Sequence, residues 1–256
     1  MLSLSARAIV PATLLISCSA SAAELYANNF DGQALGALNG QSAFVPGFPA
    51  VSWTSNGDVT VSDGAQGPQP YSGYSVNMRS AAAASTNRSA FFGAEGLWLG
   101  RPAGEDTVVC SIRMRIVPNA TNQSAQFGAL ATTGTGGIGA GFRVSAADGS
   151  VTFVRGDTAV LTDAIAAIGQ WNVFQLSWNT VTEMTTLSLN GTLIAAGATT
   201  VTADFRRFAM TSASGNGGPA TATFDDYAIG SIPAPGAAIA MLAFAAASPA
   251  GRRRRR

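Results

Sequence analysis

In residues 108–117, VVCSIRMRIV, every second side chain is apolar, and the side chains between them include both apolar and polar ones. One alternating set is wholly apolar, whereas the other carries the arginines Arg113 and Arg115. Because successive side chains of a β-strand point to opposite faces, this pattern predicts an antiparallel strand with one buried face and one polar face. The predicted buried set is Val108, Cys110, Ile112, Met114 and Ile116. The thiol of Cys110 is therefore expected to be inert packing in the core.

The same period of two recurs between residues 24 and 231. No segment sustains a helical period, although residues 81–85 and 162–168 could each form a helical turn or two. Many short strands between frequent turns predict one all-β domain over residues 24–231, a two-sheet antiparallel jelly-roll β-sandwich. Turns are predicted at Asp63-Gly64, Asp148-Gly149, Asn190-Gly191 and residues 215–219. The further predicted strands are residues 58–62, 74–79, 125–131, 139–145, 151–155, 171–178, 185–190, 205–211 and 221–229.

One predicted hairpin indicates to which class of β-sandwich the domain is similar. The segment WNVFQLSW at 171–178, followed by TLSLNGT at 186–192, resembles the W-x-x-F-x-L…L-x-L-N-G hairpin of laminin G-like domains. Those domains belong to the concanavalin A-like lectin/glucanase class. The segments NFDG at 29–32 and FDDYAIG at 224–230 resemble the first and last strands of that class, which lie near each other. Independently of the resemblance, the pattern places three apolar side chains on one face and two cross-strand partners opposite them: Phe174, Leu176 and Trp178, with Leu187 and Leu189.

The N-terminus has the layout of a secretory signal peptide. Within residues 1–23, Arg7 precedes an apolar run at 8–17 and small residues at 19–23, so cleavage is expected after Ala22 or Ala23. The run is shorter than the ~20 residues of a stable membrane span. The alternative is a lipoprotein signal, because LISC at residues 15–18 resembles a relaxed lipobox. Plain cleavage would remove Cys18 and leave Cys110 as the only thiol, which excludes an intrachain disulfide.

Residues 232–256 form a second targeting segment. A proline motif (Pro233, Ala234, Pro235 and Gly236) precedes an apolar stretch at 237–247, and the chain ends in Arg252, Arg253, Arg254, Arg255 and Arg256. This order resembles the PEP-CTERM sorting tails of bacterial envelope proteins, which an exosortase-type transpeptidase cuts near the motif. Sorting tails of this family usually carry Pro-Glu-Pro in the motif, whereas this sequence has Pro-Ala-Pro without the Glu. The five arginines would act as a membrane stop on the cytoplasmic side.

The resemblance implies an exported precursor held transiently in the inner membrane by a hydrophobic sorting helix. The sorting transpeptidase would then cut the tail and release the protein to the cell surface or the extracellular space. Eleven apolar residues rise only about 16 Å as a helix, which is short of a ~30 Å hydrocarbon core. An ordinary short transmembrane anchor is the alternative.

Composition excludes several kinds of chemistry. The 256 residues include no His, and all 15 basic residues are arginine, so Lys is absent too. Hydrolysis that needs His, His-ligated zinc, Lys Schiff bases and a P-loop lysine are thereby excluded. Without Arg7 and the five terminal arginines, the remaining chain has a formal charge of about −5 and no basic stripe. Nucleic acid is therefore not an expected partner.

The spacing of the acidic residues indicates whether glycan hydrolysis is expected. Glucanases of the concanavalin A-like class use two carboxylates ~5 Å apart, which alternating positions of one strand would provide. No two acidic residues here are two positions apart, and the adjacent pairs Glu105-Asp106 and Asp225-Asp226 would diverge to opposite faces of a strand. The sequence therefore predicts no enzymatic activity. The alternative is a glycan-active hydrolase whose carboxylate pair is distant in sequence.

Two sets of residues are candidate sites. Trp98 in a glycine-rich stretch, together with Tyr71 and Tyr74 in a loop-type segment, could stack on sugar rings. Jelly-roll domains of this type often hold a structural calcium near the first and last strands, and the resemblance implies Asp31, Asp225 and Asp226 as its oxygen ligands. The other interpretation is that Asp31 belongs to a turn and the Asp pair caps a strand end.

The targeting segments and the spacing of the acidic residues together predict an exported, non-enzymatic cell-envelope or extracellular-matrix protein. Both resemblances imply that its domain is a carbohydrate-binding or structural module, with extracellular polysaccharide as the expected partner. A surface protein that binds no ligand is a third interpretation.

Overall fold

A computed structural model describes residues 22–48, 50–63, 73–80, 87–117, 124–201, 203–213 and 220–233. The signal segment up to residue 21, Tyr71, the predicted helical turn at 81–85, the predicted turn at 215–219 and the tail from residue 234 lie outside these residues. The strands are β1 (Ala23–Asn28), β2 (Gly36–Ala37), β3 (Thr54–Ser55), β4 (Val59–Ser62), β5 (Ser75–Arg79), β6 (Arg88–Phe91), β7 (Thr107–Val117), β8 (Gln126–Thr132), β9 (Ile138–Ser145), β10 (Ser150–Arg155), β11 (Thr158–Ile165), β12 (Asn172–Asn179), β13 (Met184–Leu189), β14 (Thr192–Ala198), β15 (Arg207–Ala213) and β16 (Thr221–Ile232).

A short helix, α1 (Glu95–Leu99), connects the β6 segment to β7. In the described part of the chain, no helix has the length and apolar character needed to cross a membrane.

The strands form two antiparallel sheets. The nine-stranded sheet has the order β14-β13-β12-β7-β16-β5-β4-β2, and β1 also pairs with β16. The seven-stranded sheet has the order β11-β10-β9-β8-β15-β6-β3. This arrangement confirms the predicted all-β, two-sheet antiparallel sandwich.

The central strand β7 has the predicted two faces. Its apolar set, from Val108 to Ile116, is buried, whereas Arg113 and Arg115 lie half-buried on the outer face. Phe142 of the seven-stranded sheet stacks on Phe174 of the nine-stranded sheet, with ring centroids 4.1 Å apart and an interplanar angle of 10°. The core therefore lies between the sheets, as the alternating pattern predicts.

The predicted hairpin is present in the predicted register. Phe174 pairs with Leu189, and Leu176 pairs with Leu187. The next connection, from β13 to β14, has Asn190 at φ 51° and Gly191 at φ 81°. Positive φ at both central residues defines a type I′ turn, whose twist matches that of the strands it joins.

The terminal strands are neighbours, because β1 pairs with β16 from Ala23↔Ser231 to Asn28↔Tyr227. The NFDG segment, however, is not the first strand. The amide of Phe30 donates to Asn28 Oδ1 at 2.6 Å, and Phe30 adopts φ 61°, so the chain turns directly after Asn28. The first strand ends one residue before the segment that resembles it.

One further prediction was wrong, and one element was not predicted. Residues 162–168 do not form a helical turn, because β11 runs through Ile165 and pairs with β10 from Ser150↔Ile165 to Arg155↔Thr158. The helix α1 was not predicted, since five residues are too few to show a helical period. Its inner side buries Leu97 and Trp98.

Candidate functional site

Trp98 is not an exposed aromatic residue. Its side chain is 0% exposed and lies edge-on to Phe205, with ring centroids 5.9 Å apart. The guanidinium carbon of Arg101 lies 4.0 Å from the centroid of the Trp98 ring. The ring has no free face for a sugar, so the prediction that Trp98 binds a ligand was wrong. The glycine-rich flank suggested a loop, whereas residues 95–99 form the helix that turns Trp98 inward.

Two of the predicted residues, Tyr74 and Asp31, do meet in space. The backbone amide of Tyr74 donates to Asp31 Oδ1 at 2.7 Å, and Asn29 Nδ2 donates to Asp31 Oδ2 at 2.9 Å. The side chain of Tyr74 is half-buried and packs on the core. Asp31 therefore ties the loop after β1 to the start of β5.

Asp225 and Asp226 have structural partners of their own. Asp225 is completely buried, and its Oδ1 accepts from the amide of Asp226 at 2.8 Å. A bulge in β16 interrupts the pairing with β7 between Asp225 and Ala228, and Asp226 adopts φ 46° within it. The Asp226 carboxylate accepts from Nε of Arg113 at 2.5 Å.

Among the described residues, no three His, Cys, Asp or Glu side chains lie together as a set that could hold a metal ion. Asp31, Asp225 and Asp226 therefore do not form one group of carboxylates. The calcium site stays a prediction, and thermal unfolding with and without a chelator would test it.

The second adjacent acidic pair is also engaged. Glu105 is buried, and its Oε2 accepts from Ser231 Oγ at 2.5 Å. Asp106 forms an ion pair with Arg101 at 3.0 Å. The two residues lie just before β7 and not on a strand, and their side chains have different partners.

Phe44 was not singled out from the sequence, yet it is an unusual residue of the structure. Its side chain is 58% exposed, although Ala43 and Val45 on either side are buried. Its backbone has φ 54°, in the left-handed region that a bulky residue rarely adopts. The ring lies against Gly32, where an added Cβ would be 3.5 Å from Phe44 Cε2. The chain thus presents one side of an aromatic ring to solvent.

Backbone strain at Phe44 is not offset by burial of its own ring. A left-handed conformation costs a residue other than glycine about 1–2 kcal/mol. Phe30 has a similar φ of 61°, but its ring is completely buried, which stabilises the conformation. The exposed ring of Phe44 gains no comparable burial. Strained residues of this kind cluster at functional sites, so Phe44 is a candidate for function.

One buried and two part-buried hydrogen bonds hold the backbone just before Phe44 in place. The phenol of Tyr26 donates to the carbonyl of Ala43 at 2.5 Å, and Gln33 Nε2 donates to the carbonyl of Ser42 at 3.0 Å. Asn28 Nδ2 donates to the Tyr26 oxygen at 2.8 Å. Burial raises the pKa of Tyr26 to about 12, and the Asn28 bond opposes this in part. The phenol therefore stays protonated and able to donate over the physiological range.

We name the surface formed by Asn29, Asp31, Gly32 and Phe44 the Phe44 platform. It combines an exposed aromatic ring with an exposed carboxylate and an exposed amide within one pair of loops. The local sequence signal is the Phe-Val-Pro-Gly-Phe segment at 44–48, in which the amide of Phe48 donates to the carbonyl of Val45 at 3.0 Å. Gly47 at φ 78° follows Pro46, as in a type II turn.

No family model matches the sequence, and no curated protein does. Solved structures show a likeness of fold. The binding domain of botulinum neurotoxin serotype C1 has a TM-score of 0.55 at 12% identity, over 87% of this chain and 51% of that one. Botulinum neurotoxin type C, which interacts with two ganglioside molecules to enter cells, gives 0.52 at 12% identity, over 81% and 49%.

A sialidase is also similar, with a TM-score of 0.53 at 6% identity, over 82% of this chain and 18% of the sialidase. The chain spans about half the length of the neurotoxin structures. At these identities the likeness shows a common β-sandwich fold.

Proposed function

We propose that this protein is an exported carbohydrate-binding module of the cell envelope, and that the Phe44 platform contacts the glycan. The observation that carries the proposal is the exposed ring of Phe44 on a strained backbone, which the buried bond from Tyr26 to the Ala43 carbonyl holds in place. A rigid, exposed aromatic ring offers contact area at low entropic cost, because its backbone is already fixed.

The chemistry of the Phe44 platform suits a sugar. One face of a pyranose carries mainly C–H groups, which pack on an aromatic ring, and its hydroxyls need hydrogen-bonding groups nearby. The exposed oxygens of Asp31 each accept one bond within the protein and have further lone pairs, and Asn29 Nδ2 donates one bond and has a second N–H. An aromatic surface with a few placed polar groups is the usual composition of a small-molecule site.

The structural neighbours support a glycan as the ligand class. One neighbour interacts with gangliosides, and another is the binding domain of botulinum neurotoxin DC in complex with SialylT. Each of these chains is about twice as long as the matched region, so the support concerns the class of ligand and not the position of the site.

We further propose that the module is non-catalytic. The acidic pairs that could have supplied carboxylates are engaged in structural contacts, Glu105 with Ser231 and Asp226 with Arg113. The competing function is a glycan-active hydrolase, for which the sialidase likeness is the relevant observation.

A panel of neutral and charged polysaccharides separates these functions. In affinity gels, the full-length protein should be retarded by at least one polysaccharide, and no new reducing ends should appear on prolonged incubation. New reducing ends would establish the hydrolase. Absence of retardation by every member of the panel would leave a structural surface protein without a glycan ligand.

Export and sorting complete the proposal. Residues 1–23 would direct export, and an exosortase-like transpeptidase would cut at or near Pro233, Ala234, Pro235 and Gly236. Both segments are proposed from the sequence, since all but Ala22, Ala23, Ile232 and Pro233 lie outside the described residues. The domain would then act at the cell surface or in the extracellular matrix.

A further inference from the structure

A second surface lies on the outer face of the seven-stranded sheet. There lies a groove of about 110 Å³, and the residues of its lining that the structure describes are Asn87, Arg88, Ser89, Gln126, Leu130, Arg143, Thr211, Ser212 and Ala213. Sites that enclose a whole small molecule measure roughly 300 Å³ or more. This groove, which we name the Arg143 groove, has room for one substituent of a larger ligand.

Strand register explains why a groove forms at this point. Gly128 of β8 pairs with Thr211 of β15 on one side and with Arg143 of β9 on the other. Gln126 and Leu130 lie two positions before and after Gly128 on the same face. All four of these neighbours line the groove. The groove is therefore centred on the one position in the row that has no side chain.

Gly128 cannot be replaced without distortion. An added Cβ would lie 1.9 Å from the carbonyl oxygen of Phe142, which is backbone and cannot move aside as a side chain would. The gap between Thr211 and Arg143 is thus built into the sheet. Because neighbouring strands are about 4.8 Å apart, the two flanking residues stand roughly 10 Å apart.

Arg143 is the charged group of this groove that has no partner. The residue is half-buried, and its guanidinium forms no hydrogen bond or ion pair with any residue that the structure describes. Arg88, the other guanidinium in the lining, lies 2.9 Å from Asp58. The described lining contains no Asp or Glu. A charged group that faces a groove without a counterion favours an anionic ligand.

We propose that the Arg143 groove binds a carboxylate substituent of an acidic polysaccharide. The planar fork of a guanidinium matches the two oxygens of a carboxylate. Ser89, Gln126 and Thr211 supply neutral hydrogen-bonding groups around the same space. This inference rests on the proposed carbohydrate-binding function, but it concerns a surface separate from the Phe44 platform and a charged class of glycan.

The test compares four probes with the full-length protein at about 0.15 M salt, where long-range charge effects are screened. The probes are polygalacturonate, the same polymer after its carboxyls are reduced to alcohols, dextran sulfate and dextran. The protein should bind polygalacturonate at least about tenfold more tightly than the reduced polymer. Equal binding of these two polymers would overturn the inference while leaving the carbohydrate-binding proposal intact. Binding of none of the four would also overturn the inference, and the carbohydrate-binding proposal would then be decided by the wider polysaccharide panel described above.

Three variants assign the effect to Arg143. Arg143→Gln should weaken binding of polygalacturonate about tenfold or more, and Arg143→Lys should fall between Arg143→Gln and the wild type, because it keeps the charge and loses the fork. Arg79→Gln removes the same charge from an exposed position on β5 of the other sheet and should bind as the wild type does. Thermal midpoints would show that all three are folded.

Two results would overturn the assignment. One is wild-type affinity in Arg143→Gln. The other is equal affinity for dextran sulfate, which would show that the groove accepts any polyanion rather than a carboxylate.

Discussion

Gly139 lies against the indole ring of Trp178 in the core. An added Cβ would lie 2.2 Å from Cδ2 and Cε3 of that ring, and the rigid indole is itself fully buried. Overpacking of this kind costs about 1–3 kcal/mol. We therefore expect Gly139→Ala to lower the free energy of unfolding by that amount in denaturant titration.

Gly93→Ala is the matched control for this substitution. No atom lies within 4 Å of the position of its added Cβ, and neither glycine has a positive φ. The denaturant midpoint of Gly93→Ala should therefore stay close to that of the wild type. Equal midpoints for the two variants would show that the sheets can separate locally at Trp178 without cost.

Tyr26 gives a prediction about alkaline pH. Burial raises its pKa from 10.0 to about 12, so the folded state keeps a proton that the unfolded state loses first. The stabilisation is fully present below about pH 10 and is lost as the pH rises towards 12. Burial also raises the pKa of Tyr227 and of Cys110, so these two groups contribute to the alkaline loss of stability as well, and the effect of Tyr26 is obtained by comparison with a variant.

Tyr26→Phe should therefore show a shallower loss of stability between pH 10 and 12 than the wild type. At pH 7 it should be destabilised by about 1 kcal/mol, because the bond to the Ala43 carbonyl is lost. Denaturant midpoints at several pH values provide the measurement. Parallel pH profiles for the two proteins would contradict the assignment to Tyr26.

Single residues of the site were the hardest to predict from sequence. Tyr74 and Asp31 were singled out separately, and their contact follows from the pairing of distant loops. Trp98 was wrongly predicted to bind a ligand, and Phe44 was not predicted as a site residue. Both failures have one cause, because tertiary packing decides which aromatic ring is buried. Helix α1 turns Trp98 inward, and the left-handed backbone at Phe44 turns that ring outward.

At the scale of elements, the β13–β14 hairpin depends on its type I′ turn. Gly191 adopts φ 81°, and a side chain there would cost about 1 kcal/mol. Gly191→Ala should therefore increase hydrogen exchange of β13 and β14 while exchange in β7 stays unchanged. Thr192→Ala, at the neighbouring exposed position, is the control. Faster exchange throughout the sandwich would mean that this hairpin does not open independently.

Elements with one buried face could be predicted, and elements without one could not. Strand β7 alternates between buried and half-buried residues over most of its length. In the β12–β13 hairpin apolar residues alternate with polar ones, although most of both kinds are buried, so the period of two is visible in both sequences. Strands β11 and β14 are edge strands with mostly exposed residues, and they show no such alternation. Only the pairing of β11 with β10, and of β14 with β13, makes them strands.

At the scale of the whole molecule, the terminal segments determine where the sandwich acts. We expect the mature protein to lack its tail, because the apolar stretch at residues 237–247 is short and rich in Ala, which gains little on transfer into a membrane. Deletion of residues 252–256 should leave the protein unprocessed or mislocalised, with the sandwich folded normally. Mass spectrometry of protein recovered from the cell surface would decide this. An intact C-terminal arginine block on the mature protein would show a permanent anchor instead.

The central claim is that the sandwich binds a glycan through the Phe44 platform, and Phe44→Gly tests it most directly. Glycine removes the ring and also relieves the left-handed backbone at φ 54°. Binding of the polysaccharide that retards the wild type should weaken about tenfold or more, whereas the thermal midpoint should be equal or higher. Val181→Ala, which trims an exposed apolar residue elsewhere, should bind normally. Wild-type affinity in Phe44→Gly would contradict the claim.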